Sequence, residues 1–469
     1  MTRSEPDSPS SWSAPAPPDE RDAAEGREFS AMSAAFFIAA SMVGVGILTT
    51  SGYTIASVGS NQVMLWLWIV GGVAMLCGAL THAELAAAMP RIGGDYVFVR
   101  EAYGRLAGFL AGWITALIGF GAPIAVTART SASYWLTGGG LVAPEALTKE
   151  YWWAERALAT GLILGLAGFH LLGRRGSARL QGLTTLATLG ALVAMVVFGL
   201  ISPQADWSHL DDLPDQLTGS VWSAMLISLL YINYGYAGWN SAGYLAGEVK
   251  NPGRNLPRAI VLGNLAVLSL YVAVNLVYIV AFSAEEIQTL ASANPNAVKN
   301  IAELAVARLI GPPVSTWFAL FVAVLLLSML SAFLVTGPRV IVAMAREGMF
   351  PRFAARVSQR GAPVPATLCL ALFAVALNWI PRFASVLEYA SLGLALASLS
   401  SVSAIYVLRR TRPHLPRPYR TWGYPVTPAV FLVVTAALAI ATVRDRPEVA
   451  FWTLATLLAG TVAFVFVNR

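Results

Sequence analysis

Twelve apolar runs, each long enough to cross the ~30 Å hydrocarbon core of a bilayer, follow one another along the chain. They lie at 31–58, 63–89, 106–136, 152–173, 180–202, 217–247, 256–283, 313–345, 363–381, 384–408, 424–443 and 448–468. Lipid offers no partner for a backbone N–H or C=O, so spans of this length fold as helices. The expected fold class is therefore all-α integral membrane with twelve transmembrane helices. The 469 residues are 57% apolar and only 12% charged, where a soluble domain carries about 25% charge. A soluble globular domain, a disordered chain and a nucleic-acid binder are excluded. The pI of 9.4 arises from basic residues between the spans. Cys77 and Cys369 both sit inside apolar runs, so neither a disulfide framework nor a metal site is expected.

Residues 1–30 are rich in Pro, Ser, Ala, Asp and Glu and read as a disordered tail. They lack the apolar stretch of a signal peptide. Residues 31–410 form the transmembrane core, and 411–469 a loop with two peripheral helices. The loops after the even-numbered spans hold most of the basic residues, from Arg91, Arg100 and Arg105 to Arg409, Arg410, Arg412, Arg417 and Arg420. The opposite loops hold few, and that at 202–216 is acidic. By the positive-inside rule both termini are cytoplasmic, in a plasma (cell inner) membrane protein.

Two spans carry glycine-rich breaks. The first contains Val43-Gly44-Val45-Gly46-Ile47, and the sixth Tyr234-Gly235-Tyr236-Ala237-Gly238-Trp239-Asn240. Irregular backbone at membrane depth is tolerated where it lines a cavity. The breaks open two successive blocks of five spans, the spacing of an inverted repeat with its binding site at the bilayer midplane. Close helix packing is the competing explanation for such small residues. A broken helix exposes N–H groups at one end and C=O groups at the other. The first attract an anion and the second a cation. An α-amino acid, which carries both charges on one carbon, matches two such ends side by side. Val43 to Ile47 would meet the carboxylate, and Tyr234 to Trp239 the ammonium group.

Ionisable groups inside the membrane are functional candidates. Glu84 lies at the cytoplasmic end of the second span and is expected to pair with Arg91 or Arg100. Arg129 lies in the outer third of the third span, either lining an outer vestibule or snorkelling. Glu388 lies near the outer end of the tenth and could carry a proton. The four histidines, His82, His170, His209 and His414, form no ligand set. No nucleophile elbow, phosphate loop or carboxylate dyad is present, so neither an enzyme nor a cofactor is expected.

The motifs resemble those of the amino acid–polyamine–organocation superfamily, and within it the L-type amino acid transporter branch best. The resemblance rests on the break at 43–47, on Glu84-Leu85 through Pro90-Arg91-Ile92-Gly93-Gly94-Asp95-Tyr96, and on Tyr236-Ala237-Gly238-Trp239-Asn240 with Gly247-Glu248-Val249-Lys250-Asn251-Pro252. Arg339, Ala345-Arg346-Glu347-Gly348 and Arg412-Pro413-His414-Leu415-Pro416-Arg417-Pro418 extend it. It implies a LeuT-like 5+5 inverted repeat with discontinuous helices 1 and 6, and amino acid transport by alternating access. It implies Tyr234 as outer gate and Asn240 as a polar residue of the substrate region. Neutral substrates are favoured, carried by exchange or by Na⁺- or H⁺-coupled symport.

Two positions depart from the family. A lysine common in its fifth helix is Thr188 here. A hydroxyl there could help hold Na⁺ with Ser328 or Ser331 and carbonyls near Val43, or simply bond its own helix backbone. The loop at 137–151 has no cysteine, so no disulfide-linked ancillary chain is expected. The alternatives are a polyamine or amine exchanger, which would need acids at the breaks, and a non-transporting amino acid sensor.

Overall fold

The computed structural model describes residues 30–89, 94–138, 140–142, 151–172, 177–212, 219–239, 249–294, 297–358 and 362–467. The tail at 1–29, most of the loop at 137–151, and Asn240 lie outside them. The chain winds through α1 (Ala31–Met42), α2 (Val45–Val58), α3 (Asn61–Ala88), α4 (Asp95–Tyr103), α5 (Arg105–Ala116) and α6 (Ala122–Gly138). There follow α7 (Trp152–Leu172), α8 (Ser177–Leu200), α9 (Gly219–Gly235), α10 (Pro252–Ala281), α11 (Ala284–Ala293) and α12 (Ile301–Leu309). The last are α13 (Pro312–Arg346), α14 (Val364–Asn378), α15 (Phe383–Thr411), α16 (Val426–Asp445) and α17 (Pro447–Val467). Among the described residues, seven helices are long and apolar enough to cross a membrane, counting Arg105–Gly138 as one.

Local chemistry sets the ends. Ser60 caps α3 by accepting the Val63 N–H at 3.1 Å, and the Asp212 carboxylate accepts those of Asn61 and Gln62 at 2.6 and 3.0 Å. Negative charge at a helix start complements its dipole. Pro312 opens α13, where its missing N–H costs nothing. Between α5 and α6 the helix widens to a π turn, Leu117–Gly121. Pro123, just beyond it, has no N–H to bond the Gly119 carbonyl four residues back.

Both glycine-rich segments interrupt helix. The first span is two helices, with Val43 and Gly44 extended between them. The sixth, expected over 217–247, ends as helix at Gly235 and turns through 236–239. The regions between spans also hold α4, α11 and α12, which the apolar runs do not mark.

α10 packs against α1 and α3, α9 against α2, and α13 against α6. Large apolar side chains cover the outside as well, including Trp66, Phe169, Phe198, Trp317, Phe451 and Trp452. A soluble surface does not tolerate such an apolar coat, whereas lipid accepts it.

Candidate functional site

The two interrupted spans meet. A methyl group on Gly46 would lie 2.4 Å from the Gly235 Cα, so the start of α2 and the end of α9 touch backbone to backbone. Gly238 has φ +109°, open to glycine at little cost, and a methyl there would lie 2.3 Å from the Ser41 carbonyl oxygen. The end of α1, the start of α2 and the turn after α9 therefore form one knot of bare backbone. No side chain caps α2 at Gly44.

That knot borders a cavity of about 740 Å³, whose lining includes Val43, Gly44, Gly238, Thr188, Ser328 and Met329. Phe120, in the π turn, lines it too. The Met329 thioether covers Gly44, with its sulfur 2.2 Å from where a Cβ would stand. Two half-exposed phenylalanines of α1, Phe36 and Phe37, flank the cavity on the amino-terminal side.

Aromatic side chains brace the knot from behind. The Tyr271 hydroxyl of α10 lies 2.8 Å from the Met42 carbonyl and 3.1 Å from that of Gly235, sharing its proton between the last carbonyls of two broken helices. Tyr236 donates to the Trp68 carbonyl at 3.1 Å, and Trp68, Tyr236 and Tyr271 contact one another at ring separations of 5.1–5.4 Å. Tyr278 donates to the Ile47 carbonyl at 3.2 Å. Sequence reasoning missed Trp68, Tyr271, Tyr278 and Met329. An aromatic or Met inside an apolar run looks like ordinary core until its partner is known.

Among the candidate residues, Val43, Gly44, Gly238, Thr188 and Ser328 line the cavity. Val45, Gly46 and Ile47 form the buried first turn of α2. Tyr234, Tyr236 and Trp239 are buried beside it. Ser331 is not with Thr188: its hydroxyl is 2.8 Å from His170 Nε2.

The ionisable candidates are corrected in their partners. Arg91 lies outside the described residues, and Glu84 does not pair with Arg100. Arg409 grips both its oxygens at 2.9 and 2.6 Å, and Arg417 lies 3.4 Å away. The Thr421 N–H and hydroxyl also donate to it, at 2.6 and 2.8 Å. Arg100 on α4 turns instead to Glu347 and Glu101. Burial and the Glu347 carboxylate hold the neighbouring Tyr96 phenol well above its usual value.

Arg129 neither snorkels nor lines the cavity. It is 2% exposed, donates to the Ile380 carbonyl at 3.1 Å and lies 3.4 Å from the Glu155 carboxylate. Glu155 also binds the Lys299 ammonium. A buried carboxylate between two buried cations is the arrangement burial demands of such charges. Lys299 belongs to a short turn, Ala297–Asn300, that lies against Gly52 of α2. Glu388 accepts from the Tyr231 hydroxyl at 2.6 Å and from Arg446 at 3.0 Å.

The model of a family described as amino acid permease matches residues 29–464. The chain is 28% identical over 448 residues to Asc-type amino acid transporter 1 of Mus musculus, covering 93% of this chain and 80% of that one. It is 28% identical over 442 residues to large neutral amino acids transporter small subunit 2 of Homo sapiens, with the same coverage of 93% and 80%. It is 26% identical over 409 residues to the serine/threonine exchanger SteT of Bacillus subtilis (strain 168), covering 86% of this chain and 88% of that one.

Proposed function

The chain belongs to the amino acid permease family, and from that membership we propose how its residues carry an amino acid across a membrane. It is a transporter and not an enzyme. The proposed architecture is twelve spans in a 5+5 inverted repeat, with the last two spans peripheral and both termini cytoplasmic in a plasma membrane. The proposed substrates are neutral amino acids, carried by exchange or by ion-coupled symport.

One observation carries the site: the uncapped start of α2 touches the end of α9, and Gly44 and Gly238 beside that contact line a cavity. The substrate carboxylate accepts from the first N–H groups of α2, where the helix dipole favours an anion. Its ammonium group faces carbonyls at the end of α9 and in the turn after it. None of the described lining residues is acidic, which disfavours a polyamine, whose two cations would need carboxylates. Tyr234 acts as the outer gate, and its burial fits a conformation closed on that side. The cavity, flanked by Phe36 and Phe37 near the amino terminus, then faces the cytoplasm. The cycle is a population shift between the two openings, biased by bound substrate.

Two measurements test this. Purified protein should be stabilised against heat by a subset of the neutral amino acids, with and without sodium, since a ligand stabilises the state it binds. In proteoliposomes preloaded with that amino acid, external labelled substrate should accumulate by counterflow. Stabilisation without counterflow would make the protein a sensor.

A further inference from the structure

We infer that His82 is a proton-binding site, with Asp95 as its counter-charge, through which the transport cycle takes up and releases a proton. This rests on the transport reading above and names its coupling ion.

His82 sits in the last third of α3 and is 0% exposed. Neither of its ring nitrogens has a hydrogen-bond partner. Among the described residues the nearest charge is the Asp95 carboxylate at the start of α4, 3.5 Å from Nδ1, and Asp95 is itself 3% exposed. The rest of the ring is enclosed by aromatic edges. Phe98 of α4 meets it at 5.0 Å and Trp239 at 5.4 Å, both near perpendicular. Burial in apolar surroundings disfavours a charged imidazole, and an adjacent carboxylate favours it. Whether His82 holds its proton therefore depends on how close α4 stays to α3.

The two helices share α15 as a neighbour and differ in the rest: α3 lies against α10, α9 and α16, and α4 against α5. Moving one group past the other separates carboxylate from imidazole and releases the proton. Trp239, in the turn that follows α9 at the break, touches His82 directly. The charge on the ring is thereby read at the edge of the substrate site.

Among the described residues, the other surrounding charges are engaged elsewhere or exposed. Glu84, two residues along α3, is held by Arg409 of α15 and by Arg417. Tyr96 and Arg100 of α4 turn to Glu347. Arg254 and Arg258 of α10 are exposed. From α16 the nearby group is the Phe431 ring, edge-on to Trp239.

The test uses proteoliposomes with the pH dye pyranine trapped inside, and L-alanine, L-serine or L-leucine added outside. Wild-type protein should acidify the lumen as substrate enters. His82→Gln and Asp95→Asn should each lose that acidification while still exchanging labelled substrate by counterflow. Wild-type uptake without any lumen pH change overturns the proposal, whether or not the variants fold. So does a His82→Gln protein that acidifies the lumen as wild type does. Absence of counterflow in the wild type would instead overturn the transport reading.

Discussion

Gly46 is a position where one added methyl group meets backbone rather than a side chain. The obstacle is the Gly235 Cα at 2.4 Å, which cannot rotate away as Met329 can from Gly44. Overpacking of this kind costs about 1–3 kcal/mol. Gly46→Ala should lower the melting temperature and abolish counterflow, whereas Gly44→Ala should be milder because a thioether can move. Glu155 offers the opposite test, removal instead of addition. Glu155→Gln leaves Arg129 and Lys299 buried beside a neutral amide, and breaking a buried pair costs roughly 3–5 kcal/mol. Thermal unfolding in detergent should fall accordingly, and the double variant Glu155→Gln, Lys299→Met should recover part of the loss, since the residues couple. The two sites also differ in legibility. Glycine at a helix break has a backbone reason that the sequence displays. Lys299 lies 144 positions from Glu155, and it reads as an ordinary loop charge until the fold brings the two together.

At the scale of elements, the join between α1, α2 and α9 depends on α10. Tyr271→Phe removes the one hydroxyl that serves the Met42 and Gly235 carbonyls. A buried acceptor left unsatisfied costs about 1–3 kcal/mol. The variant should melt lower and bind substrate more weakly by thermal shift, even though no substrate contact is deleted. A second element answers to pH. α11 begins with a capping box in which Ser283 and Glu286 bond each other's backbone N–H. Burial pushes the Glu286 carboxyl up. The Ser283 N–H and the Arg308 guanidinium, 2.8 Å away, more than offset this and leave it below its usual value. A carboxylate lowered by folding stabilises the helix above the unfolded value of about 4.3. That contribution disappears as pH falls through the lower folded value. Amide exchange in α11, corrected for its intrinsic rate, should therefore speed up on acidification, and in Glu286→Gln this added dependence should be gone. The long spans were legible because apolar length is itself the signal. α4, α11 and α12 are short and mixed in composition, and helices of that length are stabilised by packing that the sequence does not display.

For the whole molecule, the same residues must serve an opening to either side, so no sequence pattern states which one a given structure adopts. Here the answer comes from what is buried. Tyr53, Tyr231 and Tyr234 are covered, and Glu155, Arg129 and Lys299 draw the Ala297–Asn300 turn against α6, α7 and α2. Ser328 and Thr188 line the cavity that Phe36 and Phe37 flank near the amino terminus. In a background with Cys77 and Cys369 replaced by Ala, Ser328→Cys should react with a membrane-impermeant maleimide from the amino-terminal face and be shielded from the other. Saturating substrate should slow that reaction, because substrate fills the space the reagent must cross. Adding Glu155→Gln should then raise reactivity from the opposite face, because the turn over α2 has lost its anchor. The variant has to be compared at a temperature where it remains folded. If Ser328→Cys reacts equally from both faces, or if Glu155→Gln leaves the sidedness unchanged, the buried charges are structural ballast and the barrier to the outside lies elsewhere.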